Sequence, residues 1–114
     1  MYMGNIATQQ REPVAIDGTR GVSMAWLLDR GKGTPNFAMR IFRLEPGGYT
    51  PRHVHRWEHE VYVVQGRGKL WTEGKWASLE PGTFVLILPN EEHQFAAADD
   101  EEMEFLCLVP NNSY

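Results

Sequence analysis

Apolar positions along this chain come in short clusters separated by glycine and proline, with no long stripe at three-and-four spacing. The clusters fall at residues 21–28, 36–44, 61–65, 69–72, 83–88 and 103–109, and they are rich in β-branched, aromatic and aliphatic side chains. Glycine (11) and proline (7) mark the breaks, for example at Pro46-Gly47-Gly48, Gly66, Gly74, Pro81-Gly82 and Pro89. Short strands at turn-marked intervals predict an all-β antiparallel sandwich or barrel. The stretch 90–109 lacks both residues and invites a helix. Its apolar positions gather at the two ends, around Phe95 and from Met103 onward, so a strand, a solvated acidic turn at 99–102 and a second strand fit better. The tetrapeptide Leu-Glu-Pro-Gly occurs at 44–47 and at 79–82 and predicts two similar β-turns.

A chain of 114 residues is read as one domain, with a barrel core at about 36–110 and N-terminal strands before it. Eleven basic against fifteen acidic residues argue against a nucleic-acid or anionic-membrane partner. The lone Cys107 excludes an intrachain disulfide, and the first twelve residues carry no signal-peptide pattern, so a soluble, cytoplasmic protein is expected. No apolar run approaches the roughly 20 residues of a membrane-spanning helix.

Four histidines concentrate the chemistry: His53, His55 and His59 within seven residues, and His93. On an extended strand, even spacing puts the first three on one face. They are either surface polar groups beside Arg52, Arg56 and Glu58 or a metal site, since neutral imidazole is the commonest metal ligand near neutral pH. Residues 47–66 resemble the first cupin motif, G-x5-H-x-H-x3,4-E-x6-G. Gly47, His53, His55, position 59 and Gly66 are in register, with His59 where the motif has Glu and Glu60 not expected to bind. The second motif, G-x5-P-x-G-x2-H-x3-N, is matched at Gly82 and His93, while Leu88, Asn90 and Ala97 stand at its Pro, Gly and Asn positions. Asn90 is expected to tolerate the left-handed turn. The strings P-N-F-A-M-R-I-F-R-L-E-P-G-G, H-x-H-x-W-E-H-E, P-N-E-x-H and E-F-L-C-L-x-P are similar to small single-domain manganese cupins.

That resemblance implies a double-stranded β-helix (jelly roll), a homodimer, and a metal held by His53, His55, His59 and His93 near one barrel mouth. Mn²⁺ is the implied ion, with Fe²⁺, Zn²⁺, Ni²⁺ or Cu²⁺ compatible with nitrogen donors. Strand parity assigns Trp57, Phe95, Phe105, Cys107 and Val109 to a narrow, mostly apolar substrate pocket, with Arg40 able to steer an anion. The functional expectation is a Mn- or Fe-dependent oxygenase or dioxygenase acting on a small apolar or aromatic molecule. The alternatives are a non-redox isomerase or lyase using the ion as a Lewis acid, and a ligand-binding or sensory protein without turnover. A homodimer is also expected because residues 83–88 and 103–109 are apolar at both parities and a second face needs cover.

Overall fold

A computed structural model describes residues 1–114. Its strands are β1 (Glu12–Pro13), β2 (Arg20–Leu28), β3 (Phe37–Tyr49), β4 (His59–Gln65), β5 (Gly68–Thr72), β6 (Lys75–Leu79), β7 (Phe84–Ile87), β8 (Gln94–Ala97) and β9 (Met103–Pro110). Three short 3-10 turns, Ile6–Thr8, Arg30–Lys32 and Asn111–Ser113, are the only helical elements. Hydrogen bonding links the strands in the order β6-β5-β8-β3-β9-β4-β7, with β2 also on β3 and β1 on β2. Every pairing is antiparallel. The sheet curls on itself into a jelly-roll half-barrel, the all-β fold expected.

Strand β3 makes the curl. It pairs with β9 from Phe37 to Leu44 and meets β8 at Tyr49↔Ala96, so one strand serves both walls. Between them the register with β2 jumps from Val22↔Leu44 to Arg20↔Tyr49, so residues 45–48 form a bulge. A Cβ on Gly48 would lie 2.8 Å from the Arg20 carbonyl oxygen, so only glycine fits that crossing. The first Leu-Glu-Pro-Gly is therefore a bulge inside a strand, contrary to the expectation of a turn. The second does follow a strand, β6, and turns with Gly82 at φ 93°. Strand β6 went unforeseen because four of its five residues are exposed.

Period-two alternation builds the core. On the inner face of β3 and β9 the rungs are Leu44↔Met103, Phe42↔Phe105, Arg40↔Cys107 and Ala38↔Val109. Leu44, Met103 and Ala38 are wholly buried, and Val61, Val63, Leu70, Leu79, Ile87 and Phe95 close over them from the other strands. Each such Leu, Val or Phe contributes roughly 1.5–3 kcal/mol. On the outer face, Glu104 takes Arg11 at 2.7 Å and Arg43 at 2.9 Å, which ties the N-terminal segment to the sheet. The outward side of β7 is left open: Phe84 is 82% exposed, and Leu86 and Leu88 are each 52% exposed. No helix is long and apolar enough to cross a membrane.

Candidate metal centre

The four histidines arrive from two loops and one strand start. His53 and His55 lie in the connection after β3, His59 opens β4, and His93 precedes β8. The expected single strand through 53–59 does not form. Backbone bonds align the two loops instead: His53 N–H donates to His93 C=O and His93 N–H to His53 C=O, both at 3.1 Å, and Asn90 N–H donates to His55 C=O at 2.7 Å. Asn90 sits at φ 66°, in the left-handed turn expected of it. Thr50 extends the clamp, its N–H donating to Phe95 C=O and its hydroxyl accepting from Phe95 N–H, each at 2.9 Å.

Ligand-ready tautomers follow from the hydrogen bonds. A backbone carbonyl can only accept, so Nδ1 of His55, 2.8 Å from the Trp57 carbonyl oxygen, carries its proton. The same holds for His93 Nδ1, 2.8 Å from the Glu91 carbonyl oxygen. Nε2 of each is then left with a lone pair, the usual arrangement around a ligating imidazole. His59 Nδ1 lies 2.9 Å from Cys107 Sγ, and its Nε2 meets His55 Nε2 at 2.5 Å. With the His55 Nε2 unprotonated, the His59 Nε2 either donates a proton to it or, in the other tautomer, shares a cation with it. His53, His55 and His93 each offer a nitrogen within 4.8 Å of the others, and His59 joins this group through His55. The donor set fits a borderline transition ion.

Electrostatics keep these rings neutral. Partial desolvation of its ring, then the neighbouring imidazoles and Arg40, lowers His53 from 6.5 to about 4, although the residue as a whole keeps contact with solvent. Burial, then Arg40 and the other three histidines, lowers His59 to about 2. His55 and His93 are lowered mainly by burial, against the raising effect of their carbonyl partners. Neutral imidazoles bind cations without first losing a proton. His53 is exposed and His93 only 1% exposed, so the cluster runs from the mouth inward.

Beside it lies a cavity of about 200 Å³, lined by His53, His59 and His93 together with Arg40, Phe95, Phe105 and Cys107. Of the expected pocket residues, Arg40, Phe95, Phe105 and Cys107 thus reach it, and two do not. Trp57 stacks flat on His55 outside it, ring centroids 4.5 Å apart at 4°. It sits in a bend where strand parity has no meaning. Val109 shares the parity of Cys107 but lies one rung beyond it, packed in the core. Sequence reasoning missed Val14, Ile16, Val22, Met24 and Phe42, which supply further apolar wall, and Thr19, Thr50 and Pro51, which also line it. The first two lie in and beside the short N-terminal connection to β2, where no pattern assigns a face.

Residues 40–109 match the Cupin domain family. The chain is 34% identical over 71 residues to 1-methylthio-D-xylulose 5-phosphate methylsulfurylase of Rhodospirillum rubrum, covering 62% of this chain but 46% of that protein. It is 32% identical over 100 residues to L-ectoine synthase of Teredinibacter turnerae, covering 86% of this chain and 72% of that one. Among solved structures, the polyketide cyclase RemF from Streptomyces resistomycificus superposes with a TM-score of 0.93 at 29% identity, over 97% of this chain and 80% of that one. With its curled sheet, its clustered imidazoles and a family match across most of the strands, the chain belongs to the cupin family.

Proposed function

We propose that His53, His55, His59 and His93 hold one divalent transition ion and that the adjoining cavity takes a small, mostly apolar, aromatic or enolisable substrate for metal-dependent catalysis. The carrying observation is the pair of carbonyl-fixed tautomers that aim the Nε2 lone pairs of His55 and His93 into one cluster of neutral rings. Mn²⁺ is the proposed occupant, from the sequence likeness to four-histidine manganese cupins. When bound on four neutral nitrogens, such an ion keeps its full charge and supplies Lewis acidity toward a carbonyl or enolate oxygen, and as Mn or Fe a redox couple as well. The protein's own part is to exclude water with Phe42, Phe95 and Phe105, to hold His59 against Cys107, and to present Arg40 to the cavity.

The relatives alter the order of the readings. None of those above is named an oxygenase, and the likeness to a polyketide cyclase runs over nearly the whole chain. A non-redox reaction of an enolisable substrate, of the cyclase, isomerase or lyase kind, is therefore placed first. The oxygenase reading stands second, on a specific observation: no carboxylate lines the cavity to move protons, and oxidation of an apolar molecule needs such a group least. The chain is further proposed to work as a single cupin domain in a cytoplasmic homodimer. In that dimer a second copy covers the free edge strand β7 and its outward Phe84 and Leu86, a side that one protomer leaves exposed.

The deciding experiment measures metal content of protein purified without chelators, then turnover of a panel of enols, β-diketones, phenols and aryl alkenes with and without oxygen. About one ion per chain and anaerobic turnover of an enolisable compound are expected. Metal-dependent oxygen uptake would install the oxygenase reading, ligand binding without turnover the sensory one, and a metal-free protein with unchanged ligand binding would remove the metal from the proposal.

A further inference from the structure

The inner face of β3 carries one cation among apolar residues. Arg40 points inward between Ala38 and Phe42, and its guanidinium carbon lies 5.3 Å from the Trp26 ring centroid and 4.9 Å from that of Phe42. Nη2 donates to Cys107 Sγ at 3.0 Å and lies 3.3 Å from His59 Nδ1. Nε is buried with no partner at all. Arg40 also lines the cavity. The partners this guanidinium does have, a thiol, an imidazole and two aromatic faces, are neutral. Glu104 faces outward and is taken by Arg11 and Arg43. No Asp or Glu is among the residues lining the cavity. Arg40 is half-buried with no counter-ion, which is costly for a cation, and a divalent ion on neutral imidazoles adds positive charge to the same space. The cavity therefore has a charge deficit of one sign.

Its shape limits what can fill that deficit. About 200 Å³ is the share of six or seven water molecules at roughly 30 Å³ each, the room needed for one small ring with a substituent. Phe95 and Phe105 stack at 4.6 Å, and Phe42 stacks on Phe105 at 5.3 Å, so three rings offer a continuous apolar wall beside Arg40.

We infer that Arg40 is the anion anchor of this site and that the substrate is a small planar organic oxyanion, its charged oxygen on the Arg40 guanidinium and its ring or alkyl body against Phe42, Phe95 and Phe105. Charge-assisted hydrogen bonds give the anion its advantage, and a neutral isostere loses it. The inference deepens the proposed function and rests on its reading of the cavity as the substrate site, but Arg40 needs no metal to act.

The test measures binding of benzoate and 4-nitrophenolate, as carboxylate and phenolate probes, against neutral benzamide by calorimetry, on the full chain both metal-loaded and stripped. At least one anion is expected to bind tenfold or more tighter than benzamide in both forms. Arg40→Gln should abolish that preference and leave benzamide where it was, while Arg40→Lys restores part of it. Equal binding of anions and benzamide, no binding of either anion, or an anion preference that survives Arg40→Gln would each overturn the assignment. The ratio measured in the unsubstituted chain decides even if a variant does not fold. Failure of the metal reading would show separately, as Arg40-dependent anion binding in a chain that takes up no ion.

Discussion

Two rungs of one strand ladder, separated only by the Phe42–Phe105 pair, do opposite work. Leu44↔Met103 is packed solid, both residues wholly buried, and Gly66 and Gly68 bring backbone close against that end. Arg40↔Cys107 lines a cavity, pairs a cation with a thiol, and touches the histidine cluster. Both are antiparallel pairs of the same two strands. Stability has been concentrated at one end of the barrel, and that lets the other keep unsatisfied charge and empty volume, which a uniformly packed core of this size excludes.

Substitutions at the packed end should act on folding alone, beginning with the largest effect. A Cβ on Gly66 would fall 1.8 Å from the Glu102 carbonyl oxygen at a φ of 78°, so Gly66→Ala is expected to leave little folded protein by circular dichroism. Leu44→Ala should cost about 2–5 kcal/mol in denaturant unfolding. Metal bound per folded chain should be unchanged in that variant, and a loss of metal there would dissolve the contrast between the two ends. At the open end the pattern reverses: His93→Ala should reduce metal affinity by at least tenfold in a chelator competition, with a folded far-UV spectrum retained.

Acid should attack the open end selectively. With His53 neutral down to about 4 in the folded chain and titrating at 6.5 when unfolded, the unfolded chain takes up the proton first as pH falls. His59, lowered to about 2, behaves likewise. Stability of the metal-free protein is therefore full above pH 6.5 and declines steadily as pH falls from 6.5 towards 4. Melting temperatures measured in chelator across that range check it, and a flat profile would mean the rings are not held neutral. Smallest of all, Arg40→Met should leave the melting temperature unchanged or raise it slightly, because an apolar side chain replaces a half-buried cation without a counter-ion. A drop comparable to that of Leu44→Ala would make Arg40 part of the packed scaffold.

Patterning exposed the fold where side chains obey one rule for several residues. Strands β2, β3, β4, β5, β7, β8 and β9 each carry enough apolar or alternating positions to be recognised, and the strand-turn-strand reading of 90–109 follows from where its apolar residues stop. Strand β6 was invisible because it buries little except Leu79. The bulge at 45–48 was misread as a turn because Pro and Gly mark both, and only the partner strand's register separates them. At the site, histidine spacing pointed to rings that the structure does bring together, but for a wrong local reason: paired loops, with no strand through 53–59, assemble them. Trp57 shows the same error from the other side, since a two-residue period was extended into a bend.

The flat stacking of that indole on His55 makes the chain its own optical gauge. A chromophore laid against a ring of the histidine cluster shares its excited state with whatever ion that ring holds, so an open-shell ion such as Cu²⁺ or Mn²⁺ arriving there should dim emission in proportion to occupancy. Trp57→Phe supplies the blank against the remaining three tryptophans. Occupancy can thereby be followed in a cuvette, without label or activity.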